Sequence, residues 1–164
     1  AAATEAPAGG SKGGATGSTE SKEDSCSKYD VMEKSFDGKT GEELVLGLGE
    51  LGTDGGDFKL SHLTNCTIVL KETVHALRID HLEGCHVYAG AVSGSVLLDA
   101  CTDCVFDFAS RQIRIHTSKR CDYYLHVLSR PIIEHSESLR FAPSGLKYTG
   151  LPEQRAGAGL IAER

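Results

Sequence analysis

An arginine between two isoleucines is the residue whose surroundings best fit chemistry on a phosphate group. Alternate side chains of a β-strand face opposite sides, so inward-facing Ile113 and Ile115 would place Arg114 on the outer face. Gln112 shares that face by the same alternation. A guanidinium is always charged and contacts phosphate oxygens in a bidentate manner. Arg114 is therefore a candidate phosphate-binding residue, and a solvated surface arginine is the alternative interpretation.

A repeat in the sequence places further side chains in line with this arginine. Lys59, Arg78 and Leu97 precede it at steps of 19 residues, and Arg114 follows after 17. Each lies between two apolar residues, so the column that they form is expected to face outward and to be mainly basic. Arg78 thereby becomes a second candidate for contact with a partner.

The elements that carry these residues are predicted to be short stacked strands. Apolar residues alternate within each repeat, which indicates β-strands, and 17 to 19 residues are too few for a βαβ unit. Stacking the repeats gives an all-β parallel β-helix with two inward ladders. A β-sandwich, the alternative, has no reason to keep a fixed step. The predicted ladders are Leu60, Ile79, Leu98, Ile115 and Ile68, Val87, Phe106, Tyr123.

Cysteines and histidines follow the same step. A column of four cysteines is predicted to face the core as small apolar residues with free thiols, which is typical of a reducing compartment. Cys101 and Cys104 form a CxxC motif without a second pair, so no metal site is predicted. His62 and His81 are expected to stack at a solvated corner. The four cysteines are Cys66, Cys85, Cys104 and Cys121.

Composition separates the chain into three parts. The 164 residues carry a formal net charge of -6, which argues against nucleic-acid binding. The longest apolar runs are a few residues, so no membrane-spanning segment is predicted. Residues 1–28 are rich in Gly, Ala and Ser and are predicted to be a disordered linker. Residues 29–148 are predicted to form the β-helix, and 149–164 a flexible or loosely docked tail.

Several motifs in the same order resemble the C-terminal domain of the tubulin-binding cofactor C family. The resemblance covers about residues 57–144. The family also contains the retinitis pigmentosa GTPase-activating protein, and its known fold is a right-handed parallel β-helix. The motifs are Ala76-Leu77-Arg78-Ile79, Val92-Ser93-Gly94-Ser95-Val96, Gln112-Ile113-Arg114-Ile115-His116, Tyr124-Leu125-His126-Val127, Ser129-Arg130-Pro131-Ile132-Ile133-Glu134 and Leu139-Arg140-Phe141-Ala142-Pro143.

The resemblance implies a GTPase activator that is not a hydrolase by itself. The family's arginine finger lies in a Gln-Gln-x-Arg motif and falls on Arg114, with Gln112 as the second Gln and Arg111 in place of the first. Glu134 matches a family residue at the GTPase-binding face. Because an arginine finger acts in trans, the chain is expected to need no cofactor of its own, and the partner GTPase would bind the GTP and Mg²⁺.

The resemblance also implies partners and a location. The expected partners are β-tubulin and tubulin cofactors D and E, acting during assembly of the α/β-tubulin heterodimer. The expected location is the cytoplasm, in association with the cytoskeleton. Two alternatives stay open: an activator of an Arf-like GTPase, as in the retinal relative, and a non-catalytic β-helix scaffold.

Overall fold

The described part of the chain is a stack of parallel β-strands followed by one short helix. The computed structural model describes residues 34–51 and 56–161, so the predicted linker over 1–28 lies outside the described residues. No helix in these ranges is long and apolar enough to cross a bilayer. The elements are β1 (Lys34–Asp37), β2 (Glu43–Leu46), β3 (Phe58–Thr64), β4 (Thr67–Leu70), β5 (Leu77–Glu83), β6 (His86–Asp99), β7 (Val105–His116), β8 (Asp122–Val127), β9 (Ile132–Glu134), β10 (Arg140–Pro143) and α1 (Leu151–Gly157).

Strand pairing confirms the predicted parallel β-helix, and the β-sandwich alternative is wrong. The pairings between these strands are parallel, which gives a solenoid of about five turns. From β3 onward they join residues 17 to 19 apart, whereas β1–β3 and β2–β4 join residues 24 apart. Both predicted ladders are in register and fully buried. The rings of Phe106, Tyr123 and Phe141 stack with centroids 5.1 and 5.2 Å apart. The repeat therefore corresponds to one turn of the solenoid.

Each turn bends at a corner built from two residues in the left-handed backbone region. The two residues are three positions apart, and the side chain between them turns into the core, as with Leu63, Leu82 and Cys101. Asn, Asp and His tolerate this region better than most residues, and Gly adopts it freely. The first column of corner residues is Gly38, His62, His81, Ala100, Thr117, His135, and the second is Gly41, Asn65, Gly84, Asp103, Arg120, Ser138.

The cysteine column lies inside the solenoid, as the sequence predicts. The five cysteines of the described ranges are free and buried, and their thiols donate to backbone carbonyl oxygens. Burial raises the pKa of Cys101 well above its ordinary value. The Cys101 thiol is therefore held in its neutral form in the core.

The C-terminal segment packs against the solenoid over the length that the structure describes. Helix α1 lies in the segment for which the sequence predicts a flexible or loosely docked tail, and Leu151 and Leu160 are buried there. Arg155 Nε donates to the Gly90 carbonyl oxygen at 3.2 Å, and Gln154 Nε2 donates to that of Lys71 at 2.6 Å. The packed unit thus extends to about residue 161 and not to 148, because apolar side chains beyond Tyr148 fill a groove on the solenoid surface.

Candidate functional site

Arg114 lies on a flat outer face of the solenoid, in the column that the repeat predicts. Its register neighbours are Leu97 on β6 and Ile132 on β9, and Leu97 in turn pairs with Arg78, which pairs with Lys59. Arg78 and Arg114 are exposed, and Leu97 between them is 41% exposed. Strands of a sheet lie about 4.8 Å apart, so the two arginines are about 10 Å apart at their backbones.

The guanidinium of Arg114 makes no hydrogen bond or ion pair among the described residues. Of the seven arginines in those ranges, four donate hydrogen bonds to backbone or side-chain oxygens. Arg78, Arg114 and Arg130 make no hydrogen bond or ion pair within residues 34–51 and 56–161. An unpaired guanidinium keeps its five N–H donors for a ligand. The four engaged arginines are Arg111, Arg120, Arg140 and Arg155.

The backbone beneath Arg114 is held firmly. Ile113 and Ile115 on either side of it are fully buried, and β7 is paired with β6 on one side and with β9 on the other. Interiors of proteins are close-packed, so two buried anchors fix the direction in which the intervening side chain leaves the sheet. The face therefore presents an exposed side chain on a firmly held strand.

A second column of outward residues, largely acidic, runs beside the basic column. Asp80, Asp99, His116 and Glu134 are in register on successive strands, two residues after the positions of the basic column. His116 Nδ1 lies 3.0 Å from Asp99 Oδ1. Burial opposes ionisation of Asp80, but hydrogen bonds from His81 and Ser61 outweigh it and leave the pKa of Asp80 below its ordinary value. This column was not predicted from the sequence, although Asp80 and Asp99 show the 19-residue step.

Glu134 lies on the same face as Arg114. It belongs to the strand next to β7, two residues beyond the register partner Ile132, so about 8 Å separate the two backbones. Both side chains are exposed. A partner that contacts the guanidinium can therefore also contact this carboxylate, which is the arrangement that the sequence predicts for these two residues.

Gln112 and Arg111 are placed differently from each other. Gln112 is exposed, pairs with Ser95 and shares the face of Arg114. Arg111 instead donates from Nε to the Ser93 carbonyl oxygen at 3.0 Å, and its guanidinium lies so close to Gly159 that a Cβ there would meet Nη2 at 2.5 Å. The structure therefore brings Arg78, Gln112, Arg114 and Glu134 to one face and ties Arg111 to the C-terminal segment.

One group of side chains in the described ranges has the composition of a metal-binding cluster. His62, Asp80 and His81 each offer a ligand atom within 4.8 Å of the others. They lie at the solenoid corner that follows the face with Arg114. The site around Arg114 itself is suited to contact an anion, since its free group is a guanidinium.

Comparison with known proteins places the chain in a family. The family model described as tubulin binding cofactor C matches residues 55–164. The chain belongs to the tubulin-binding cofactor C family. It is 48% identical over 125 residues to the tubulin-folding cofactor C of Arabidopsis thaliana, which covers 76% of this chain and 36% of that protein. It is 40% identical over 104 residues to the tubulin-specific chaperone C of Bos taurus, covering 63% of this chain and 30% of that protein.

A solved structure supports the fold of this cofactor C domain. The tubulin binding cofactor C from Leishmania major is similar with a TM-score of 0.53 and 21% identity, over 78% of this chain and 70% of that one. At this identity the likeness concerns the fold alone. The chain spans about a third of the length of the curated relatives that it matches. The family resemblance and the β-helix predicted from the sequence are thus confirmed.

Proposed function

We propose that this domain takes part in tubulin folding as a GTPase activator, with Arg114 as an arginine finger. The GTPase is proposed to be β-tubulin, acted on together with cofactors D and E during assembly of the α/β-tubulin heterodimer. The free guanidinium of Arg114 on a rigid outer face is the observation that carries this proposal. The relatives' names, which refer to tubulin folding, support the choice of partner.

The chemical role of Arg114 follows from charge. During transfer of a phosphoryl group, negative charge develops on its oxygens. A cation supplied in trans stabilises that charge in the transition state and raises the rate of hydrolysis by about 10³–10⁵-fold. Mg²⁺, GTP and the attacking water would be held by the partner. Gln112 and Glu134 flank Arg114 on the same face and are proposed to position the partner, with Arg78 further along the column. A cytoplasmic, cytoskeleton-associated location belongs to the same proposal.

The test is GTP hydrolysis by tubulin with cofactors D and E, comparing the domain with its Arg114→Ala and Arg114→Lys variants. Arg114 is exposed and makes no hydrogen bond or ion pair among the described residues, so neither change should alter the free energy of unfolding by more than about 0.5 kcal/mol. We expect Arg114→Ala to lower the stimulated rate of GTP hydrolysis by roughly 10³-fold or more. Lysine keeps the charge but lacks the planar fork, so Arg114→Lys should recover little of it.

A matched control is Arg140→Ala, which removes one positive charge from an exposed arginine that is paired with Asp122. Stimulation should be unchanged in this variant. Equal stimulation by the parent and Arg114→Ala would show that Arg114 is not the finger. If the parent itself fails to stimulate tubulin, the same pair of proteins is assayed on an Arf-like GTPase, and inactivity on both would favour the scaffold.

A further inference from the structure

Two histidines on successive turns stack against each other at one corner of the solenoid. The rings of His62 and His81 have centroids 4.7 Å apart and planes that differ by 7°. Their side chains are 63% and 57% exposed. Both backbones are in the left-handed region, with φ of 52° and 53°, so the two side chains leave the corner in the same way. The stacking that the sequence predicts is confirmed.

The hydrogen bonds around the rings determine where their protons lie. His81 Nδ1 is 2.7 Å from Asp80 Oδ2, and an ionised carboxylate only accepts, so this nitrogen carries the proton. The Ser61 hydroxyl donates its one proton to the same carboxylate at 2.9 Å. His62 Nδ1, which lies 2.8 Å from Ser61 Oγ and 3.4 Å from Asp37 Oδ1, must then also be a donor. In both neutral rings the lone pair is therefore on Nε2.

This arrangement resembles the surroundings of histidine ligands in metal sites. Such a histidine generally donates its second ring nitrogen to a carboxylate or carbonyl, which fixes the tautomer and makes the ligating nitrogen more basic. Asp80 does this for His81, and Asp37 together with Ser61 does it for His62. Two imidazoles with carboxylates nearby suit Zn²⁺ and similar transition-metal ions, whereas Mg²⁺ and Ca²⁺ prefer ligand sets made of oxygen.

We propose that the corner formed by His62, His81 and Asp80 binds a divalent transition-metal ion of the Zn²⁺ class, with the Nε2 atoms of the two histidines as ligands. Zn–N bonds of about 2.0–2.1 Å in a tetrahedral site require the nitrogens to be about 3.4 Å apart. Lone pairs that lie in ring planes only 7° apart do not meet at one ion, so the two rings must turn out of the stack to bind it, which their exposure permits. Water completes the coordination, and the ion cross-links two successive turns.

The two thiols of the CxxC motif do not compete for the ion in the folded chain. Cys101 and Cys104 are at most 1% exposed, and burial raises the pKa of Cys101, so its thiol stays protonated. Metal ions bind the thiolate and not the thiol. Binding to the native domain should consequently show nitrogen and oxygen ligation. Titration with Co²⁺ tests this, because thiolate ligands give an intense charge-transfer absorption that imidazole and carboxylate ligands lack.

The experiment is calorimetric titration of the chelator-treated domain with Zn²⁺, with Mg²⁺ as the comparison ion. The variants are His62→Asn, His81→Asn and Asp80→Asn, since asparagine tolerates the left-handed backbone of the two histidine positions. The matched control is His135→Asn, which changes a histidine in the same corner column, with φ of 49°, outside the cluster.

We expect one Zn²⁺ per chain, no binding of Mg²⁺, and a higher thermal unfolding midpoint with Zn²⁺ present. Each histidine variant should bind Zn²⁺ at least about 10-fold more weakly, and Asp80→Asn about 10–100-fold more weakly, as for other outer partners of ligating histidines. His135→Asn should bind as the parent does. Absence of Zn²⁺ binding, affinity that is insensitive to the two histidine variants, an equal loss in His135→Asn, or thiolate absorption with Co²⁺ would each overturn the proposal.

Discussion

Replacing Gly90 by alanine should release the C-terminal segment from the solenoid. A Cβ at this position would overlap the Tyr148 hydroxyl oxygen and lie 2.8 Å from Leu151 Cδ1. Contacts this short do not occur, so Tyr148 must move by more than about 1 Å. Its hydroxyl donates to Gln154 Oε1, and Gln154 in turn donates to the Lys71 carbonyl oxygen, so this movement disrupts both contacts.

The cost of Gly90→Ala can be worked from these contacts. Overpacking costs about 1–3 kcal/mol and each of the two lost hydrogen bonds about 0.5–1.5 kcal/mol, which sums to roughly 2–6 kcal/mol. Undocking limits the cost, because the segment lies at one end of the described chain and can leave the groove without unfolding the strands. Helix α1 has seven residues and no side-chain cap, so it should unwind once Leu151 and Leu160 lose their burial.

Hydrogen exchange measured by mass spectrometry on peptides spanning residues 150–161 is the appropriate assay. A loss of roughly 2–6 kcal/mol corresponds to roughly 30- to 25,000-fold faster exchange in this segment, with β5 to β7 unaffected. Gly157→Ala is the matched control: it lies in α1 with nothing within 4 Å of its Cβ position. That change should slow exchange slightly, since alanine favours a helix by about 0.5–1 kcal/mol. Unchanged protection of α1 in Gly90→Ala would refute the packing argument.

Two further predictions concern charge. The Arg140 guanidinium holds the pKa of Asp122 below its ordinary value, so the pair contributes stability above the unfolded pKa of about 3.9 and loses it as the pH falls through the folded pKa. The thermal unfolding midpoint of Asp122→Asn should therefore fall less between pH 5 and pH 2 than that of the parent. Equal falls in the midpoints of the two proteins over this range would contradict this. Leu97→Asp places a carboxylate beside Arg114 and Arg78, so charge pairing with them should reduce GTPase stimulation without unfolding the domain. Leu97→Asn is the control, and an equal effect of both variants would exclude charge pairing as the cause.

The fold could be predicted because the turns of a solenoid repeat the same structure, and the sequence therefore shows the same pattern at a fixed step. A turn of 17 to 19 residues repeats the same inward positions, so the ladder from Leu60 to Ile115 and the column of cysteines are visible as fixed steps. The corners obey the same step, which made the stacking of His62 and His81 predictable. Periodicity carries this information because each turn contacts only its neighbours.

The C-terminal segment and Arg111 could not be predicted because their contacts are not periodic. Leu160 is buried in a groove formed by distant parts of the chain, and nothing in its local sequence indicates that surface. Arg111 is adjacent to Gln112 in the sequence, yet its guanidinium is bound to the Ser93 carbonyl oxygen and lies against Gly159. Side-chain direction at a bend of the sheet depends on tertiary contacts, which alternation alone does not supply.

Two other arginines pair with a carboxylate one turn earlier in the solenoid, whereas Arg114 has no carboxylate at the corresponding position. Arg120 and Arg140 find Asp103 and Asp122 one turn earlier, 17 and 18 residues back, and each forms two hydrogen bonds with that carboxylate. One turn on either side of Arg114 the neighbours are Leu97 and Ile132, which offer no acceptor. Its guanidinium consequently stays available without the cost of first breaking an ion pair. On a chain with a net charge of -6, a cation left free between apolar neighbours is the feature on which the proposed contact with a GTPase rests.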